Sequence, residues 1–260
     1  MTFIRKIFEW IDSPRRKQLD AWGYKEWVKS GARHSHPTLL GAFENAATPK
    51  QGSSLQLVTL GKLTVRSGRI LTFWDVDVLE APNEKESTRS DLKDADSFEQ
   101  IAPTGDHVLE ALFLSEKLAA LRLNFVSSDR SIAYLEPAWG GNCKENCLQH
   151  YRLECWIVCG DSSGIGALVT PEAASAFRNS TISDPRKLAP NRSLYPGVNP
   201  SNCWQETRFD DGSNLFTFYP GNGGGFYWCF FAKAEDGSPT ALIADFGFFG
   251  QPMRLKLSRS

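Results

Sequence analysis

The 260-residue sequence contains no apolar run approaching the roughly 20 residues that a membrane-spanning helix requires. Its first ten residues already carry Arg5, Lys6 and Glu9, so no apolar stretch of secretion-signal length opens the chain, and the cytosol is the expected compartment. Net charge is nearly absent, because 29 Lys and Arg stand against 30 Asp and Glu. That balance excludes a global field drawing the chain to nucleic acid or anionic lipid. Histidine is scarce, and none of His34, His36, His107 and His150 sits in a recognisable triad context. No repeat of fixed period occurs, and no two cysteines are separated by the two residues common in zinc sites. The nearest approach to a ligand set is Cys143, Cys147 and His150 in a polar loop, which lacks a fourth ligand. No metal or cofactor is therefore expected. The six cysteines are expected as thiols in a reducing compartment, with Cys155, Cys159, Cys203 and Cys229 in packed apolar surroundings.

What is present points to strands. Seventeen Phe and eight Trp favour a sheet-rich core. Alternation of apolar and polar residues over Leu55 to Val65, the Ser67-Gly68 turn and renewed alternation over Ile70 to Val78 predict a hairpin. Further strands are predicted over His107 to Leu114, Leu118 to Val126, Ser131 to Leu135 and Tyr151 to Cys159. After a long irregular stretch at 179–202 come Trp204 to Phe209, Leu215 to Tyr219, Phe226 to Ala232 and Ala241 to Phe246, with Asp211-Gly212 and Asp236-Gly237 as turns. Helical spacing of Ile4, Ile7, Phe8 and Ile11, and of apolar residues from Leu19 to Val28, predicts two short N-terminal helices. Residues 31–54 read as loop. Thr170-Pro171-Glu172 opens one short internal helix. The expected class is mainly β (α+β), an antiparallel β-sandwich or strongly twisted antiparallel sheets. Residues 1–50 form a helical segment packed on the core, and 51–260 a single β-rich domain.

Two motifs invite chemistry. Gly160-Asp161-Ser162-Ser163-Gly164 fits Gly-x-Ser-x-Gly, in which a serine on a tight strand-to-helix turn meets a base. The helix begins about eight residues after Ser162 rather than directly after it, so the glycine-rich loop reads better as a connection. Gly221 to Gly225, with Gly223, Gly224 and Gly225 consecutive, offers backbone N–H groups to a phosphate, but no helix and no Lys-Ser/Thr pair follows. Close backbone packing before the strand of Tyr227 is the better reading. Asp245, a carboxylate in the apolar strand Leu242 to Phe246, either faces solvent or is buried and hydrogen-bonded.

Charge is uneven along the chain. Residues 1–36 hold eight basic against four acidic groups, and residues 75–110 hold eleven acidic against three basic groups, including Asp91, Asp94 and Asp96. The acidic stretch is either a solvated connector or a face for a basic partner.

Several segments, taken in order, resemble the bacterial family of domain of unknown function 4241. They are Leu60 to Ile70, Thr104-Gly-Asp-His-Val108, Ser131 to Glu136, Asp161 to Ala174, and Gly223-Gly-Gly-Phe-Tyr227 through Asp236-Gly237 to Phe246. The resemblance implies a mostly β fold and no settled activity. It also places Thr170 and Gly224 where relatives tend to carry acids, so any cation binding or chemistry by those acids would be lost here. Such proteins often resemble accessory proteins of bacterial toxin systems. The expected function is a non-enzymatic binding protein, an immunity protein that neutralises a cognate toxin, with no nucleic-acid or membrane partner. Its candidate binding residues are Asp91, Asp94, Asp96, Asp161, Gly164, Gly166, Gly223, Gly224, Gly225, Tyr227 and Asp245. The alternatives are a hydrolase using Ser162 or a carboxylate site at Asp161 and Asp245, and a small-ligand-binding β-sandwich.

Overall fold

A computed structural model describes residues 33–48, 53–71, 97–98, 100–125, 131–138, 157–158, 165–180, 182, 188, 203–221, 227–250 and 253–254. Their elements run β1 (His34–Ser35), α1 (Pro37–Ala47), β2 (Leu55–Val65), β3 (Gly105–Leu114), β4 (Lys117–Asn124), β5 (Tyr134–Pro137) and β6 (Ile157–Val158). They continue with β7 (Gly166–Leu168), α2 (Pro171–Asn179), β8 (Trp204–Arg208), β9 (Asn214–Phe218), β10 (Tyr227–Lys233), β11 (Pro239–Asp245) and β12 (Met253–Arg254). The large sheet has the order β12-β1-β5-β10-β11-β4-β3-β2, with β6 also paired to β10, and the small sheet has the order β7-β9-β8. The fold of the described residues is a mainly antiparallel β-sandwich with two helices.

Strict alternation along the central strands explains the layering. Leu121, Leu123, Phe231, Leu242 and Ala244 turn to one face of the large sheet and meet Leu168, Phe216 and Phe218 of the small sheet. Ala120, Phe230, Ala232, Ala241 and Ile243 turn to the opposite face, where α1 lays Leu39, Ala42, Phe43 and Ala46 over them. On the outer face of the small sheet, Ala167 and Leu215 pack under Ala173, Ala174 and Phe177 of α2. The order of layers is thus α1, large sheet, small sheet, α2.

Local chemistry sets the element ends. Thr170 Oγ1 accepts from Ala173 N–H at 3.3 Å, with Pro171 in the first turn, Glu172 behind it and Arg178 in the last turn of α2. Between β3 and β4, Ser115 (φ 47°) and Glu116 (φ 69°) form the two-residue turn whose twist matches that of its strands. The two Asp-Gly turns share one construction. Asp211 Oδ1 accepts from Ser213 N–H (2.9 Å) and Oγ (2.6 Å), and Asp236 Oδ1 accepts from Ser238 N–H (2.9 Å) and Oγ (2.5 Å). Their glycines, at φ +79° and +80°, donate to the carbonyls of Phe209 and Ala234. The Ser213 hydroxyl, followed by its N–H, holds the Asp211 carboxyl below the usual carboxylate range.

β2 carries a bulge at Leu60 that shifts its pairing with β3 by one residue. The shift reverses the alternation, so Val58 and Leu60 before it and Leu63 and Val65 after it all face the core between the sheets. Past the bulge, the Asn214 amide ties β2 to the small sheet: it accepts from Thr64 N–H (3.0 Å) and donates to Lys62 O and Glu206 Oε1 (both 2.7 Å).

One expectation is corrected. The stretch read as loop over 31–54 contains β1 and α1. Its signal was the spacing of Leu39, Ala42, Phe43 and Ala46, hidden by an N-cap that is a histidine. The strand at 55–65 pairs along its length with β3; of its expected hairpin partner 70–78, residues 72–78 lie outside the described residues. The two helices expected within 1–32 also lie outside them.

Candidate functional site

Of the candidate binding residues, Gly166, Tyr227 and Asp245 fall among the described residues; Asp91, Asp94, Asp96, Asp161, Gly164, Gly223, Gly224 and Gly225 lie outside them, as do Ser162, Cys143, Cys147 and His150. Gly166 pairs with Phe218, whose ring lies 5.6 Å from that of Phe246, and the Tyr227 ring meets Phe246 edge-on at 5.2 Å. Gly166 and Tyr227 therefore converge on one aromatic cluster between the two sheets. Asp245 precedes Phe246 and so faces the other way, toward α1.

There Asp245 is fully buried and meets His36, which is 1% exposed, with Nε2 to Oδ2 at 3.4 Å. The sheet order makes this contact: β1 delivers His36 beside β5, β5 pairs with β10, and β10 with β11, which ends at Asp245. His36 is also the N-cap of α1, its Nδ1 accepting from Leu39 N–H at 3.4 Å. A ring nitrogen that accepts carries no proton, so Nε2 bears the proton of the neutral ring and turns it toward Asp245. The two atoms are in electrostatic contact without the alignment of a hydrogen bond. The other carboxylate oxygen, Oδ1, accepts from Gly247 N–H (2.9 Å) and Phe248 N–H (3.3 Å). The ring packs edge-on against Phe230 at 6.4 Å.

This pair cannot work as a base and its orienting acid. Such a dyad needs one imidazole nitrogen on the carboxylate and the other free to take a proton from a nucleophile. Here the second nitrogen is held by the helix amide, and neither residue reaches solvent. The remaining described histidines are likewise internal. His34 is buried, and His107 Nε2 lies 2.6 Å from Pro103 O with its ring against Phe125.

A second polar group on the α1 side of the sheet is closed on itself. Glu110 Oε2 accepts from Arg122 Nε (2.9 Å) and Asn124 Nδ2 (2.7 Å), and Arg122 Nη2 lies 2.8 Å from the same oxygen. The Arg122 guanidinium stacks over the Phe43 ring at 4.4 Å, so the group fastens α1 to β3 and β4. Cys203 and Cys229 are buried thiols, and burial pushes Cys203 up to about 12. No cluster of three or more His, Cys, Asp or Glu suited to a metal ion occurs among the described residues, and no helix among them is long and apolar enough to cross a membrane.

Sequence reasoning singled out Asp245 and missed His36. The signal that could have found it was the helical spacing after Pro37, which leaves His36 at the N-cap. No family model, curated protein or solved structure matches the chain.

Proposed function

We propose that the chain is a non-enzymatic binding protein of the kind that neutralises a toxin, related to the bacterial family of domain of unknown function 4241 and acting in the cytoplasm. The observation that carries this reading is the commitment of His36: one ring nitrogen caps α1, the other faces buried Asp245, and the pair is spent on holding α1 to the sheet. The carboxylate site expected at Asp245 thus has a structural occupation. The acid-rich stretch 75–110 supplies the charge that speeds encounter with a basic partner.

The test is affinity capture from bacterial cells with the wild-type chain and with the triple variant Asp91→Lys, Asp94→Lys, Asp96→Lys. A captured toxin, lost on charge reversal, is the expected result. A wild-type esterase or phosphoesterase activity abolished by Ser162→Ala or Asp161→Asn would overturn the reading in favour of the hydrolase.

A further inference from the structure

The buried pair of His36 and Asp245 cannot take up a proton without giving up a hydrogen bond. With Nε2 protonated and Nδ1 bare, His36 caps Leu39 N–H and turns its own N–H toward Asp245 Oδ2, 3.4 Å away. A further proton has three places to go. On Nδ1 it meets Leu39 N–H, and the cap is lost. On Asp245 Oδ2 it meets Nε2–H, a conflict relieved by moving the ring proton from Nε2 to Nδ1, and the cap is lost again. On Asp245 Oδ1 it weakens the bonds accepted from Gly247 N–H and Phe248 N–H. The route through the ring exchanges one neutral hydrogen bond for a charged one, since an imidazolium N–H on a carboxylate makes a bond roughly twice as strong as its neutral counterpart. It also gives a fully buried carboxylate an opposite charge.

We propose that His36 is a proton-operated latch on α1. Neutral, it caps the helix; carrying a second ring proton taken from water, it releases Leu39 N–H and closes on Asp245 as an ion pair, so the first turn of α1 loosens while the large sheet keeps its pairing. One proton is gained at Nδ1 and no other covalent bond changes. The turn that opens lies at the surface, where Pro37 and Thr38 are exposed. The later turns are held separately, by Phe43 under the Arg122 guanidinium and by Leu40 N–H on His36 O at 2.9 Å. Among the described residues Asp245 is the charged group against the ring. On the surrounding elements Glu110 pairs with Arg122 and Glu136 with Lys233, Glu44 lies on the exposed side of α1, and His34 is buried in β1. The latch rests on the same His36 geometry as the function proposed above, but a loosened helix and a captured toxin are read in different experiments.

Nuclear magnetic resonance of the full chain between about pH 8 and about pH 5 tests it, because ring nitrogen shifts report the tautomer and charge of each histidine separately. At the alkaline end His36 is expected to carry its proton on Nε2. As the ring charges, the Leu39 amide signal should move with the same midpoint, and its protection from hydrogen exchange, corrected for the intrinsic effect of pH, should fall about fivefold. Ala173 N–H, capped by the Thr170 hydroxyl at the start of α2, is the internal control and should keep its protection throughout. His36→Asn keeps a capping oxygen and removes the titrating ring, so in that variant the Leu39 midpoint should vanish. Should the variant not fold, the wild-type signals decide alone. A His36 proton on Nδ1 at the alkaline end, a Leu39 amide that ignores the charging of the ring, Leu39 and Ala173 losing protection together, or a ring that stays neutral until the whole fold opens would overturn the proposal.

Discussion

His36 serves two elements with one imidazole, so its removal is costly for two separable reasons. His36→Ala loses the cap of α1, worth about 1 kcal/mol, together with the packing of the buried ring against Phe230 and its contact with Asp245. Denaturant unfolding is expected to show a loss of at least about 1 kcal/mol. His36→Asn, which restores a capping oxygen alone, is expected to recover the share that belongs to the cap. At Cys203 the buried thiol resists ionisation up to about 12, while the unfolded chain releases that proton near 9.0. The stability that comes from keeping this thiol neutral is complete below pH 9 and falls away as the pH rises toward 12, because unfolding then releases a proton. Alkylation at pH 8 followed by peptide mapping should find Cys203 unmodified in the native chain and labelled after unfolding.

At the scale of elements, Asn214 acts as a one-residue extension of the small sheet onto β2. Replacing it with Ala removes three hydrogen bonds and leaves Thr64 N–H and Lys62 O without that partner, at about 2 kcal/mol. Hydrogen exchange at the Thr64 amide should quicken. Asn214→Asp is expected to cost at least as much, since a carboxylate cannot donate to Lys62 O and meets the Glu206 carboxylate. Elements whose evidence is local were legible in the sequence. The strands β3, β4, β9, β10 and β11 lie within a few residues of their alternating runs, and α2 begins where Thr170-Pro171 marks it. Contacts made across the sheet were not legible. Nothing near Leu55 to Val65 shows that β3 is its neighbour, because alternation specifies a face and leaves the partner open. Asp245 stood out as a carboxylate among apolar residues, yet its contact with His36 exists only once β5, β10 and β11 lie side by side.

For the whole molecule, the large sheet is the shared wall of two apolar clusters, and the small sheet joins one of these to a third under α2. Phe231 sits at the centre of the first, between Phe98 (ring centroids 5.7 Å apart) and Phe125 (6.0 Å). Phe231→Ala is expected to cost about 4 kcal/mol and to lower the midpoint of the whole thermal transition without splitting it, as calorimetry would show. Ile101→Ala, at a side chain 56% exposed, should change stability by less than about 0.5 kcal/mol.

The paired Asp-Gly-Ser turns bear on how the protein ages. An Asp-Gly sequence isomerises when the glycine nitrogen attacks the aspartate side chain and closes a succinimide ring. In both turns that nitrogen is tied to a carbonyl, Phe209 in one and Ala234 in the other, while the carboxylate is held away by a serine hydroxyl and amide. The hydrogen bonds that shape the turns therefore protect Asp211 and Asp236 for as long as the chain stays folded, and isoaspartate at either position would record time spent unfolded.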